Sequence, residues 1–196
     1  DTCLCMGAGI TISQGLHEIE KDTANLAFIG DSTFFASGIT GVINALYNNH
    51  NITIIILDNS TTAMTGHQPH PGTGRNLMKS PTDSVDIEAI LRGCGVKSIA
   101  TINPLEFENA VEAVKVANEF NGVSVVIFKY PCIALFPAKT KFEITEKCIK
   151  CKKCIREIGC PAIRLDDNGV KIDSSLCHGC GLCAQICPVD AIKEGK

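Results

Sequence analysis

The sequence predicts an α/β chain in two parts: a parallel sheet covered by helices over residues 1–140, then a small α+β domain over 141–196. Three observations predict it. Short β-branched runs alternate with segments of helical apolar spacing as far as Lys129. The charge balance changes near Lys139: residues 1–140 carry 8 Lys+Arg against 13 Asp+Glu, and residues 141–196 carry 10 against 8. Eight of the twelve cysteines fall after that point, in two similar runs.

Taken in order, residues 25–30 (NLAFIG) form a short apolar strand, and 37–48 place Ile39, Val42, Ile43 and Leu46 at helical spacing. Residues 52–57 (ITIIIL) are apolar on both faces, as a central parallel strand requires. A Gly/Pro-rich loop leads to a helix over 86–94, ended by Gly95, and a strand over 97–101. Pro104 opens a helix through Phe120 that carries Phe107, Val111, Val114 and Ala117 on one face, and 123–129 (VSVVIFK) is the last strand. Ligands of such a sheet bind beyond the carboxyl ends of its strands.

The cysteine runs are Cys148-x-x-Cys151-x-x-Cys154-x5-Cys160-Pro161 and Cys177-x-x-Cys180-x-x-Cys183-x3-Cys187-Pro188. Three thiolates of such a loop face one cubane cluster, and in two-cluster ferredoxins the Cys-Pro cysteine of each run ligates the other cluster. This assigns Cys148, Cys151, Cys154 and Cys187 to one 4Fe–4S cluster, and Cys177, Cys180, Cys183 and Cys160 to a second. Ile155 to Gly159 put five residues where three are common, an insertion expected to reshape one side of the second cluster and shift its potential. A zinc ribbon would leave a third cysteine in each run and both Cys-Pro residues unexplained. Disulfides lack a secreted context, so the chain is expected to be cytoplasmic and reduced.

Lys150, Lys152 and Lys153 read as charge compensation beside the clusters. A nucleic-acid surface would need a larger basic excess with interleaved aromatics, and Trp is absent. No apolar run reaches the ~20 residues of a membrane span, so neither nucleic acid nor membrane is an expected partner.

Gly30-Asp31-Ser32 closes the first strand and Asp58-Asn59-Ser60-Thr61 the next, with Asn59 following Asp31 by 28 residues. A carboxylate and an amide oxygen on neighbouring strand ends can meet over a hard cation such as Mg2+, leaving positions for phosphate oxygens. The helix beginning near Ser37 would aim its N–H groups at the same phosphates.

The Gly-Asp-x and Asn arrangement is similar to the thiamine diphosphate motif, and the stretch from Asp58 through Thr62-Ala63-Met64-Thr65-Gly66-His67-Gln68-Pro69 resembles the 2-oxoacid:ferredoxin oxidoreductases. With Gly30-Asp31-Ser32-Thr33-Phe34 and the two-cluster tail, the resemblance is greatest to the indolepyruvate branch, in the C-terminal part of its alpha subunit. It covers nearly the whole chain. It implies that residues 1–140 bind thiamine diphosphate, with Asp31 and Asn59 holding Mg2+ by side chain and Thr61 by its carbonyl. Gly30, Ser32, Met64 and Thr65 would flank the cofactor, and Cys5-Met6-Gly7-Ala8-Gly9 would form a loop near its diphosphate or reacting carbon. The implied reaction is oxidative decarboxylation of an arylpyruvate, with electrons leaving singly through the clusters to an external ferredoxin and the acyl group passing to coenzyme A.

The family also needs a pyrimidine-binding domain with a glutamate, which these 196 residues do not contain, and strands placed before Asp1. The chain is therefore expected to be a fragment or split-gene subunit, inactive without the rest of the alpha subunit and a beta subunit; its catalytic residues stay unassigned. The rival reading is an electron-transfer subunit whose α/β half serves docking only. Cys3, Cys5, Cys94 and Cys132 read as apolar packing, and Gly72 and Gly74 as turn residues. His67 and His70, in the loop after the Mg2+ motif, stand open between a cofactor contact and a structural hydrogen bond. His17 and His50 carry no expected role, and His178 lies between cluster ligands as a backbone position.

Overall fold

The computed structural model describes residues 2–136, 140–167 and 169–195. It divides into two compact units, one of Asp1–Pro104 with Glu108–Cys132, the other of Leu105–Phe107 with Ile133–Lys196. The chain leaves the sheet soon after its last strand, so the second unit takes in residues that precede the expected boundary at 140/141.

In the first unit the strands β1 (Leu26–Gly30), β2 (Ile52–Asp58), β3 (Ser98–Ile102) and β4 (Val123–Lys129) are all parallel, in the order β1-β2-β4-β3. Side-chain alternation sends neighbouring residues of β2 to opposite faces. Ile54 and Ile56 join Ala27, Ile29, Val125 and Ile127 in one core, while Ile55 and Val126 pack with Ala117 in another. The first core takes Ile10 from helix α1 (Ala8–Ile19), Val42 and Ala45 from α3 (Ile39–Tyr47), and Ile87 and Leu91 from α4 (Ile87–Cys94). The second takes Ala113, Val114 and Ala117 from α5 (Phe107–Glu119). With both faces covered, the central strands can be apolar throughout, which is why their sequences lack a period of two.

One expectation is corrected here. The first crossover helix does not begin near Ser37: α2 (Asp31–Thr33) starts at the strand end itself and runs through a π-helical turn, Phe34–Gly38, into α3. A polar Gly-Asp-Ser-Thr opening has no apolar periodicity, so the helix start was invisible to that signal. The wider π turn puts Gly38 where a Cβ would stand 2.8 Å from Ile29 Cδ1. Further on, Asp86 caps α4 through a hydrogen bond from Ala89 N, as its residue type favours.

The second unit is built from two antiparallel pairs, β5 (Phe142–Ile144) with β8 (Ile192–Glu194) and β6 (Ile163–Asp166) with β7 (Gly169–Ile172). Two short helices, α6 (Lys153–Ile158) and α7 (Leu182–Gln185), follow the two cysteine loops. Its core is Ile163, Val170, Cys183 and Ile192, with Phe142, Ile144, Cys154, Cys160 and Cys187 packed against them. The insertion of Ile155 to Gly159 is taken up as helix: α6 has 6 residues where α7 has 4. Among the described residues no helix is long and apolar enough to cross a membrane.

Candidate cofactor and cluster sites

Parallel pairing sets Gly30 opposite Leu57, so Asp31 and the turn after Asp58 emerge side by side at the carboxyl ends of β1 and β2. Asp31 is 2% exposed, and each of its carboxylate oxygens accepts a hydrogen bond from this chain. Oδ1 accepts from Ser32 N at 2.8 Å; Oδ2 accepts from Ser60 N at 2.8 Å and faces His70 Nε2 at 3.1 Å. His70 Nδ1 accepts from Gly72 N at 3.2 Å, which assigns the ring proton to Nε2 and makes His70 a donor to Asp31. Phe35, from the π turn, packs its ring 5.6 Å from the His70 ring. Burial raises the Asp31 carboxyl above its ordinary value; the Ser32 N–H and His70 oppose that rise, and Asp58 adds to it.

The second strand end is equally knotted. Asn59 Oδ1 accepts from Thr61 N at 3.1 Å, and Asp58 Oδ1 accepts from Ser60 N at 3.1 Å. Asp58 Oδ2 pairs with Lys129 Nζ at 3.3 Å, and Thr62 Oγ1 donates to Ser32 Oγ at 2.9 Å. Ser60, left-handed at φ 59°, is therefore the hinge between the two strand ends. These donors fit magnesium in kind: a buried carboxylate and an amide oxygen, both hard, with lone pairs beyond those the N–H groups use. The negative charge of Asp31, made costly first by burial and further by Asp58, is what a cation there would offset.

The other expected cofactor residues divide into two groups. Gly7 lies against the π turn, where a Cβ would stand 2.2 Å from Ser37 Oγ and make that side chain turn aside, and its left-handed φ of 87° is what favours glycine there. Ala8 and Gly9 belong to α1, not to a loop, while Cys5 is exposed and Met6 is 73% exposed. Met64 is wholly exposed in a short helical turn, and Thr65 is tied to Gln68, so neither is brought to Asp31 by contacts within the chain. His67 is exposed. Cys3 and Cys5 are exposed, which corrects their reading as packing residues. Sequence reasoning missed Asp58 as a site carboxylate and Lys129 as its partner; the signal was the last residue of each central strand, paired in register.

In the second unit Cys148, Cys151, Cys154 and Cys187 line one hollow, with Ile144, Val170 and Ile192 as its apolar wall. Cys187 Sγ accepts from Ala191 N at 3.2 Å. The other four cysteines are also neighbours. Burial first, and then the thiols of Cys180, Cys160 and Cys177, push Cys183 up to about 11. Burial likewise raises Cys154, with Cys151 and Cys148 contributing. Thiols grouped in this way suit a polycationic iron core, which binds the thiolate. Both loops share one backbone: Lys150 and Lys152 are left-handed at φ 55° and 61°, where Gly179 and Gly181 stand at 71° and 74°. The lysines thus occupy turn positions, exposed, besides any effect of their charge.

The fold and these sites define a class: an α/β cofactor domain joined to an iron–sulfur domain. The family described as thiamine pyrophosphate enzyme, C-terminal TPP binding domain, matches residues 1–128, and the 4Fe-4S binding domain matches residues 170–193. The chain belongs to the thiamine pyrophosphate enzymes. It is similar over its full length to the indolepyruvate oxidoreductase subunit IorA of Archaeoglobus fulgidus (43% identity over 203 residues) and of Methanothermobacter marburgensis (42% over 200), covering 32% of each. The chain thus spans about a third of those curated relatives. The pyruvate synthase subunit PorD of Methanocaldococcus jannaschii is 52% identical over 52 residues, 25% of this chain and 58% of that one. In fold, the chain is similar to a 2-oxoglutarate:ferredoxin oxidoreductase from Magnetococcus marinus, with a TM-score of 0.58 and 18% identity over 65% of this chain and 46% of that one.

Proposed function

We infer that the chain is the cofactor-anchoring and electron-exporting part of an oxidoreductase that oxidatively decarboxylates 2-oxoacids, arylpyruvates such as indolepyruvate among them, to acyl-coenzyme A. A ferredoxin takes the electrons, and the remainder of an alpha subunit and a beta subunit complete the enzyme. The observation that carries the reading is the Asp31–Ser60–Asn59 knot on adjacent strand ends, in one chain with two groups of four cysteines. The full-length likeness to the indolepyruvate subunits supports the aryl substrate.

Thiamine diphosphate supplies, when bound, the carbon nucleophile that such decarboxylation needs. Asp31, Asn59 and the Thr61 carbonyl would hold Mg2+ against its diphosphate. His70 keeps Asp31 aimed by donating Nε2–H to Oδ2, and Phe35 fixes the His70 ring. Cys148, Cys151, Cys154 and Cys187 would hold one 4Fe–4S cluster; Cys160, Cys177, Cys180 and Cys183 a second.

The test is titration with thiamine diphosphate and Mg2+ of the chain assembled with its companion portions. The wild type binds cofactor only with Mg2+, and Asp31→Ala weakens binding at least about tenfold, the loss typical of disturbing a metal's ligand shell. Equal affinity of Asp31→Ala and wild type would exclude the anchor. Indolepyruvate failing to reduce ferredoxin while another 2-oxoacid succeeds would exclude the aryl substrate alone.

A further inference from the structure

At the amino end of β2, away from the strand ends that carry Asp31, three side chains with no role in the proposed reaction converge. His17 and Glu18 lie in the last turn of α1, and His50 follows the turn that ends α3. His17 Nδ1 and His50 Nδ1 are 3.3 Å apart, and His50 Nδ1 and Glu18 Oε1 are 3.4 Å apart. All three ligand atoms lie within 4.8 Å of one another.

These spacings are too long for well-formed hydrogen bonds, whose N–H···O mode is about 2.9–3.0 Å. His50 Nδ1 carries at most one hydrogen, yet both His17 Nδ1 and Glu18 Oε1 stand against it. The two spacings to His50 Nδ1 fit edges of a coordination tetrahedron: with bonds of about 2.0–2.1 Å, ligand atoms stand about 3.3–3.4 Å apart, and the side chain of exposed Glu18 is free to close the third edge. The geometry points to a zinc-binding site formed by His17, Glu18 and His50, two imidazoles and one carboxylate, with water in the fourth position.

The backbone holds the ligands in place before any metal arrives. His50 N donates to Ala45 O at 3.0 Å, and Asn49 before it is left-handed at φ 54°. On the other side, Gln14, one turn before Glu18, donates to Gly41 O at 3.0 Å and locks α1 to α3. His50 is 6% exposed, whereas the Glu18 side chain is 59% exposed, which gives the ion an entry path and room for its water. Zinc here would staple the end of α1 to the turn that feeds β2. Imidazole and carboxylate ligands favour zinc over magnesium or calcium, which take oxygen alone.

The cysteines would compete for zinc in the bare chain, so the test uses protein with its iron–sulfur clusters loaded. Zinc K-edge X-ray absorption should find about one zinc per chain, with only nitrogen and oxygen at about 2.0–2.1 Å and imidazole scattering beyond. His17→Gln and Glu18→Gln, at positions that are not buried, should each weaken zinc uptake about tenfold or more while leaving iron content unchanged. At one zinc concentration the metal should raise the thermal midpoint of the wild type by more than that of Glu18→Gln. Sulfur at about 2.3 Å in the zinc shell, or undiminished uptake by both variants, overturns the proposal.

Discussion

His70 Nε2 stands 3.1 Å from Asp31 Oδ2 with both side chains almost wholly buried, so a loop residue 39 positions away fixes the orientation of the carboxylate at the end of β1. The pair joins the strand end, the π turn and the loop after β2 into one unit. His70→Ala leaves the buried carboxylate one donor short, a loss of about 1–3 kcal/mol in urea denaturation. It should also weaken Mg2+-dependent cofactor binding. His70→Gln, which keeps a side-chain N–H donor, should recover part of both losses. Wild-type stability in His70→Ala would show that Ser32 and Ser60 suffice to hold Asp31.

The two cysteine groups make a sharper prediction about crossing ligands. Cys160 closes the first run yet neighbours Cys183, and Cys187 closes the second run yet lines the hollow of Cys148, Cys151 and Cys154. Cys160→Ala should therefore abolish the same electron paramagnetic resonance signal as Cys183→Ala, and Cys187→Ala the same signal as Cys154→Ala. Each substitution should lower iron from about eight to about four atoms per chain. Loss of one signal by both Cys160→Ala and Cys154→Ala would mean that each run holds its own cluster.

How far the sequence reached is clear from particular residues. The run from Val123 to Lys129 matches β4 to the residue, because a strand buried on both faces is unbroken in apolar character. The cysteines were legible as two spatial groups because short loops of this spacing turn their side chains to one side. Asp31 and Asn59 were legible as a pair, since consecutive parallel strands commonly neighbour each other. The helix start at Asp31 was not, because its first turn is polar and its next turn is π rather than α. His17 and His50 were opaque for another reason: they are 33 residues apart, and only the packing of α1 on α3 brings their rings to 5.5 Å.

Glu88, which lines a hollow together with Asp58, His70 and Lys129, gives a pH-dependent test. Hydrogen bonds from Arg92, and then from Thr101 on β3, hold its carboxyl below the ordinary value. A depressed carboxyl adds stability above its unfolded value, about 4.3, and that stability is lost as pH falls through the lower folded value. Glu88→Gln should lower the thermal midpoint at pH 7 by up to about 2 °C, the scale of an exposed pair in a chain of this size. The two midpoints should converge near pH 3. A difference that persists there would trace to α4 packing against β3 rather than to the charge.

Gly179 and Gly159 separate backbone strain from steric exclusion in the cluster domain. Both are left-handed, at φ 71° and 60°, so alanine at either position carries the left-handed strain of an L-residue, about 1–2 kcal/mol. At Gly159 the added Cβ meets nothing within 4 Å. At Gly179 it would stand 2.3 Å from the Thr140 carbonyl oxygen, a backbone atom that cannot swing aside. Gly159→Ala should thus keep both clusters with a modest loss of stability. Gly179→Ala should displace the Cys177–Cys180 loop and lose the cluster proposed at Cys183, read as about half the iron and a missing resonance signal. The left-handed lysines of the first loop give the complementary change: Lys152→Gly removes strain and should raise resistance to denaturant with iron content unaltered. Equal iron in Gly179→Ala and Gly159→Ala would show that the segment at Thr140 yields, and that the second loop is not clamped against it.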